Sequence, residues 1–211
     1  MDGAFGLWAA ASPQLAPLVR GADEADSWAT DGHKWLNVPY DSGIVIVKDT
    51  ESHRAAMTIS AAYLVQTGGR ERDPFDYVPD FSRRARGFTV WAALRSLGRQ
   101  GIQDLVERCC AHAWRFAERL GAEPGVAILN DVVLNQVLVR FSRPGAGDEA
   151  TDALTHDVIA RVQADGTCWL GGTTWHGMAA MRISVSNWST TEADVEVSAE
   201  AILRAYREAV A

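Results

Sequence analysis

The sequence predicts an α/β protein in two parts. Residues 1–100 read as part of a mainly parallel-sheet layer, and residues 101–211 as a smaller α+β domain. Three observations carry this. Ile44-Val45-Ile46-Val47 is an apolar, β-branched run without alternation, the pattern of a buried strand. Leu105, Cys109, His112/Ala113, Phe116 and Leu120 fall on one stripe of a long helix. Asp2 stands before a glycine-containing turn, where parallel α/β folds end a strand and hold their ligands.

The elements follow in order. Ser12-Pro13 opens a short helix through Val19, with serine as N-cap and proline in the first turn. Asp26 to Thr30 reads as a short strand leading into Asp31-Gly32-His33-Lys34-Trp35-Leu36-Asn37-Val38-Pro39-Tyr40-Asp41-Ser42-Gly43, whose Gly, Asn and Pro mark an irregular loop. Gly43 to Lys48 is the buried strand, and Ile59 to Thr67 holds another short element. From Gly68 to Arg86 the chain is polar and too long for an ordinary connection, which predicts a mobile loop. Phe88 to Leu97 is helical, and Gly98 with Gly101 breaks it before the long helix. Val126–Leu129 and Val132–Phe141 read as strands, followed by a helix carrying Leu154, Val158, Ile159 and Val162. Cys168–Leu170 and Met181–Val185 are predicted as strands around a Gly-rich turn. Thr191 and Asp194 form a capping-box-like start for a last helix that buries Val195, Ala199, Ile202 and Tyr206.

Composition narrows the function. The net charge of −7 argues against a nucleic-acid surface, and the densest basic cluster, Arg83-Arg84-Ala85-Arg86, reads as a solvated face or a local carboxylate clamp. No apolar stretch approaches the roughly 20 residues of a membrane span, and Met1-Asp2 opens no signal peptide. Cys109, Cys110 and Cys168 show no Cys-x-x-Cys spacing and read as reduced thiols of a cytoplasmic protein. No metal site is expected, since adjacent helical positions point about 100° apart.

Lys34 is the most informative residue. Lys34 and Lys48 are the only lysines in a chain that otherwise uses arginine. Lys48 ends a strand in a charged turn, which asks only for solubility. Lys34 follows a histidine and precedes a tryptophan. Arginine does not shed its proton to attack a carbonyl and lysine can, so this placement points to amine chemistry of the Schiff-base kind.

The segment Asp31 to Gly43 resembles the lysine segment of the pyridoxal-phosphate-dependent group II amino acid decarboxylases. Asp2-Gly3-Ala4-Phe5-Gly6 is similar to that family's Asp-Ala-Ala-x-Gly turn. Tyr77 to Trp91 resembles the segment after its mobile catalytic loop, and Trp169-Leu170-Gly171-Gly172 through Arg182-Ile183-Ser184 resembles its C-terminal domain. The likeness implies a fold type I, aminotransferase-like large domain and a small α+β domain. It also implies a carboxy-lyase working as a homodimer on a small amino acid, with pyridoxal 5′-phosphate as cofactor.

The resemblance assigns roles residue by residue. Lys34 would form the Schiff base with the cofactor aldehyde, and His33 would donate a hydrogen bond to the cofactor phosphate. Thr30 could bond the same phosphate. Asp2 would keep the pyridine nitrogen protonated, and Ala4 would pack its methyl against the ring. Tyr77 would return a proton to the substrate carbon, with Tyr63 as competitor. Asp31 departs from the Asn or Ala common there and would repel a phosphate unless it orients His33. Arg182 is expected in a structural ion pair, because a carboxylate about to leave should not be held tightly. Only Met1 precedes Asp2, at a position where the family has valine, so the chain reads as the C-terminal portion of a longer fold, inactive as an isolated fragment. Two other readings stand beside this one: an aminotransferase or desulfurase of the same cofactor fold, and a truncated, non-catalytic subunit.

Overall fold

The computed structural model describes residues 1–59 and 73–211, and it divides into two compact units, Met1–Arg99 and Gln100–Ala211. The expected element over Ile59–Thr67 falls, after Ile59, outside the described residues, as do Tyr63 and the first residues of the 68–86 loop.

In the first unit, strand β1 (Ser27–Asp31) pairs antiparallel with β2 (Gly43–Val47), from Ser27↔Val47 to Asp31↔Gly43. The parallel component described here is one bridge, Asp2↔Ala29. It is closed by Gly3 N–H to Ala29 O at 2.7 Å and Ala29 N–H to Met1 O at 3.0 Å. Glycine is required at position 3 because a Cβ would lie 2.7 Å from Leu7 Cβ and 3.2 Å from Ala29 O. The start of the chain is thereby laid directly against β1.

Several expectations are corrected in this unit. Lys34 sits not in an irregular loop but on a single helical turn, α1 (Gly32–Trp35), which Trp35 anchors by burying its whole side chain. Strand β2 is not buried: Val45 and Ile46, adjacent in the strand and so on opposite faces of it, are both about half exposed among the described residues. The helix expected from Ser12 to Val19 is reduced to a 3₁₀ turn, Ala16–Val19, and another 3₁₀ helix, Gly6–Ala11, precedes it; Ser12 Oγ instead accepts the Gln14 N–H at 3.2 Å. An unforeseen helix, α2 (Thr50–Met57), is capped by Asp49, whose carboxylate accepts from Glu51 N and Ser52 N. The described part of the 68–86 loop holds a 3₁₀ turn, Pro74–Asp76, where buried Asp76 accepts from Thr58 Oγ1 at 3.0 Å and pairs with Arg54 Nε at 3.1 Å.

Helix α3 (Arg86–Gly121) is interrupted at Gly98, whose φ of 62° and ψ of −176° suit glycine alone; Gly101 stays helical. The second unit is an antiparallel sheet in the order β3 (Val126–Ile128), β4 (Gln136–Phe141), β6 (Met178–Ser184), β5 (Gly171–Trp175). Helices α4 (Asp148–Asp165) and α5 (Glu192–Val210) bury the apolar stripes read from the sequence. The glycines at 171 and 172 do not form the hairpin turn. They begin edge strand β5, and the turn is His176-Gly177, with φ of 48° and 81°, the two-residue geometry that matches strand twist. Cys168–Leu170 precedes the sheet rather than forming a strand. Exposed Arg182 on β6 has no ion pair among the described residues, so the expected structural pair is absent there.

Candidate active site

β1 ends at Asp31 and α1 begins one residue later, so the turn of chain between them sets the site. Gly32 permits it: a Cβ there would stand 3.0 Å from Ser42 Oγ and 3.2 Å from Val38 Cγ2. Trp35 Nε1–H donates to Phe5 O at 3.2 Å, and the two rings meet edge to face at 6.4 Å. Such a pair stabilises by about 0.5–1.5 kcal/mol beyond the area it buries. Phe5 therefore ties the Asp2–Gly6 turn to α1.

Lys34 projects from this anchored turn. Its Nζ lies 2.8 Å from Asp31 Oδ2 and 4.6 Å from the centroid of the Phe5 ring. His33 Nε2 is 3.8 Å from the same carboxylate oxygen. On its other side, His33 Nδ1 is 3.2 Å from the Ser42 N–H and 3.0 Å from Ser42 O. Tyr40 lies over the imidazole with a centroid separation of 4.1 Å. The side chains of Asp31, His33 and Lys34 are 26%, 14% and 28% exposed, so the cluster is reachable from solvent.

Of the residues singled out in the sequence, His33, Lys34 and Asp31 share one cluster, and Asp2 and Ala4 join it through Phe5. Asp2 is exposed and its Oδ1 accepts the Ala4 N–H at 3.0 Å. Thr30 is buried, and its hydroxyl, like that of Ser42, has no hydrogen-bond partner among the described residues. Tyr77 packs its ring edge-on against His53 at 5.5 Å, on the Pro74–Asp76 turn. The roles of Phe5 and Tyr40 were not read from the sequence, although both lie inside the motifs that were. The arginine cluster is a carboxylate clamp: Arg86 holds Asp41 through two bonds of 2.7 and 3.1 Å, and Arg84 Nη1 donates to Tyr40 O at 2.9 Å. That pairing holds the Asp41 carboxyl below the usual carboxylate range, with the Arg86 hydrogen bond as the main cause.

The family model described as the pyridoxal-dependent decarboxylase conserved domain matches residues 1–142. The chain belongs to this family. Among curated relatives of this decarboxylase family, tryptophan decarboxylase 2 of Oryza sativa subsp. japonica is 23% identical over 202 residues, covering 94% of this chain and 40% of the relative. The aromatic-L-amino-acid decarboxylase of Drosophila lebanonensis is 26% identical over 205 residues, covering 94% and 48%. The crystal structure of Oryza sativa TDC with PLP and tryptamine superposes with a TM-score of 0.91 at 22% identity, over 98% of this chain and 44% of that one. The fold is thus the mixed α/β fold of pyridoxal-phosphate decarboxylases, and the chain spans less than half the length of these relatives.

The site residues fit pyridoxal phosphate, the cofactor of this family. A solvent-reachable amine on a turn anchored by Trp35, an adjacent imidazole, an exposed carboxylate and, at Thr30, a hydroxyl without a partner among the described residues are the donor and acceptor types that the group needs. No helix of the described residues is long and apolar enough to cross a membrane.

Proposed function

We propose that this chain carries the cofactor-anchoring part of a pyridoxal-phosphate-dependent amino acid decarboxylase. The observation that carries the reading is Lys34. One of two lysines in the chain, it is held beside Asp31 and over Phe5 on the turn that follows β1, inside the stretch that the family model matches. When bound, the cofactor supplies a protonated ring that accepts the electron pair released with carbon dioxide.

The residues divide the remaining work. Lys34 would hold the cofactor covalently through its Nζ. His33 and Thr30 donate hydrogen bonds to the phosphate. Asp2 holds the proton on the ring nitrogen, and the Ala4 methyl packs on the ring face. Tyr77 returns a proton to the substrate carbon. In this reading residues 1–100 belong to a fold type I large domain with a mainly parallel sheet, and 101–211 form the small C-terminal domain. The whole enzyme is a cytoplasmic homodimer whose other residues complete the pocket.

Borohydride reduction of the chain with pyridoxal phosphate, followed by peptide mapping, is expected to place the pyridoxyl group on Lys34. A label on Lys48 alone, or a Lys34→Ala variant that still shows the imine absorbance, would overturn this. In an enzyme with the complete pocket, Tyr77→Phe is expected to keep the label while losing most amine product; unchanged turnover removes Tyr77 from the site.

A further inference from the structure

Asp31 occupies the N-cap position of α1, with extended backbone at φ −105° and ψ 122°, yet its side chain makes no capping hydrogen bond. Aspartate is among the best N-cap residues, because its oxygen satisfies an N–H that the first helical turn leaves open. The same molecule shows the ordinary behaviour twice. Asp49 caps α2 by accepting from Glu51 N and Ser52 N at 3.0 Å each, and Thr191 caps α5 in a reciprocal box with Asp194. Asp31 forgoes that bond. Its Oδ2 is turned instead to Lys34 Nζ at 2.8 Å, three residues on, with His33 Nε2 at 3.8 Å.

We propose that Asp31 is the positioning residue of Lys34. It stores the amine in an ion pair against the Phe5 ring, and Lys34 reacts with a carbonyl only after leaving that pair. While the ammonium donates to Asp31, its nitrogen has no lone pair to offer. Release gives one proton to the carboxylate or to solvent and frees the lone pair for carbon. Carbon–nitrogen bond formation then expels the carbonyl oxygen as water. The pair fixes both the direction of the amine and the chemistry needed to free it.

The proposal rests on Lys34 being the reactive amine, but its test does not need the cofactor. Trace labelling with acetic anhydride, a small uncharged reagent, followed by peptide mass spectrometry reads Lys34 against exposed Lys48 in one molecule. In the unaltered chain Lys34 is expected to acetylate several-fold more slowly than Lys48. Asp31→Asn should raise Lys34 labelling several-fold while leaving Lys48 unchanged, and Asp31→Glu should restore much of the protection. A Lys34-to-Lys48 ratio that Asp31→Asn does not move overturns the proposal. Should that variant unfold, the unaltered chain in 1 M salt, where the Debye length is about 3 Å, decides alone. A rise in the ratio supports the pair as the source of protection, and no rise overturns it. Absence of any pyridoxyl label on Lys34 would instead remove the decarboxylase reading and leave this ratio standing.

Discussion

Arg86 and Asp41 meet through two parallel hydrogen bonds, a geometry that fixes orientation as well as distance. Both side chains are substantially exposed, so the pair adds little to global stability. Its consequence is local, because Tyr40, the residue before Asp41, stacks on His33 and also receives Arg84. Arg86→Ala is therefore expected to leave the urea midpoint nearly unchanged while reducing pyridoxyl loading of Lys34 several-fold. Arg86→Lys should recover little, since an ammonium cannot reproduce the fork. The pH dependence has a definite sign. The folded-state Asp41 carboxyl titrates below its unfolded value, so the clamp is intact above about pH 4 and is lost as pH falls through the lower, folded value. Loading that is indifferent to Arg86→Ala would show that Tyr40 needs no clamp.

Capping gives the sharpest statement at the level of elements. Helix α5 starts with Thr191 accepting the Asp194 N–H at 3.3 Å, while the Asp194 carboxylate accepts from Thr191 N at 2.8 Å and Thr191 Oγ1 at 2.7 Å. Thr191→Ala is expected to lower stability by about 1 kcal/mol, and Thr191→Ser by much less, measured by urea unfolding. Equal losses would mean that the hydroxyl does not cap. This box was legible in the sequence because capping and helical periodicity are local, and the same holds for the stripes of α4 and α5. What escaped the sequence depended on cover. The run Ile44–Val47 has the composition of a buried strand but is an exposed one, and Gly171–Trp175 has the composition of a turn but is an edge strand held by β6. The lysine motif was legible as chemistry, but its shape was not. Gly and Asn suggested a loop, whereas burial of Trp35 and its bond to Phe5 make a helical turn. Asp31 illustrates the limit: the sequence offered it as a partner for His33, and only the side-chain geometry shows the ion pair with Lys34.

At the scale of the whole molecule, the core of the described residues is unevenly shared. Among the largest fully buried side chains, Trp35 comes from residues 1–99, whereas Phe141, Leu120, Met181, Ile202, Leu203 and six valines come from 100–211. Fully burying one such side chain stabilises by roughly 1.5–3 kcal/mol, so the described core favours the second unit. The first unit also exposes Val45, Ile46, Phe88 and Trp91, apolar surface that contributes nothing until something covers it. Hydrogen exchange on this chain should accordingly give the slowest amides in β4, β6 and α5, with β1 and β2 exchanging much faster. In rising urea the β1–β2 amides should lose protection before the four-stranded sheet does. Any ligand that binds the folded first unit alone raises that lower threshold by mass action and leaves the upper one in place. Pyridoxal phosphate is expected to slow exchange in β1, α1 and the Asp2–Gly6 turn without changing β4 or β6. Uniform protection across both units, lost at a single urea concentration with and without the cofactor, would show that residues 1–99 draw their stability from residues 100–211 rather than from their own small core.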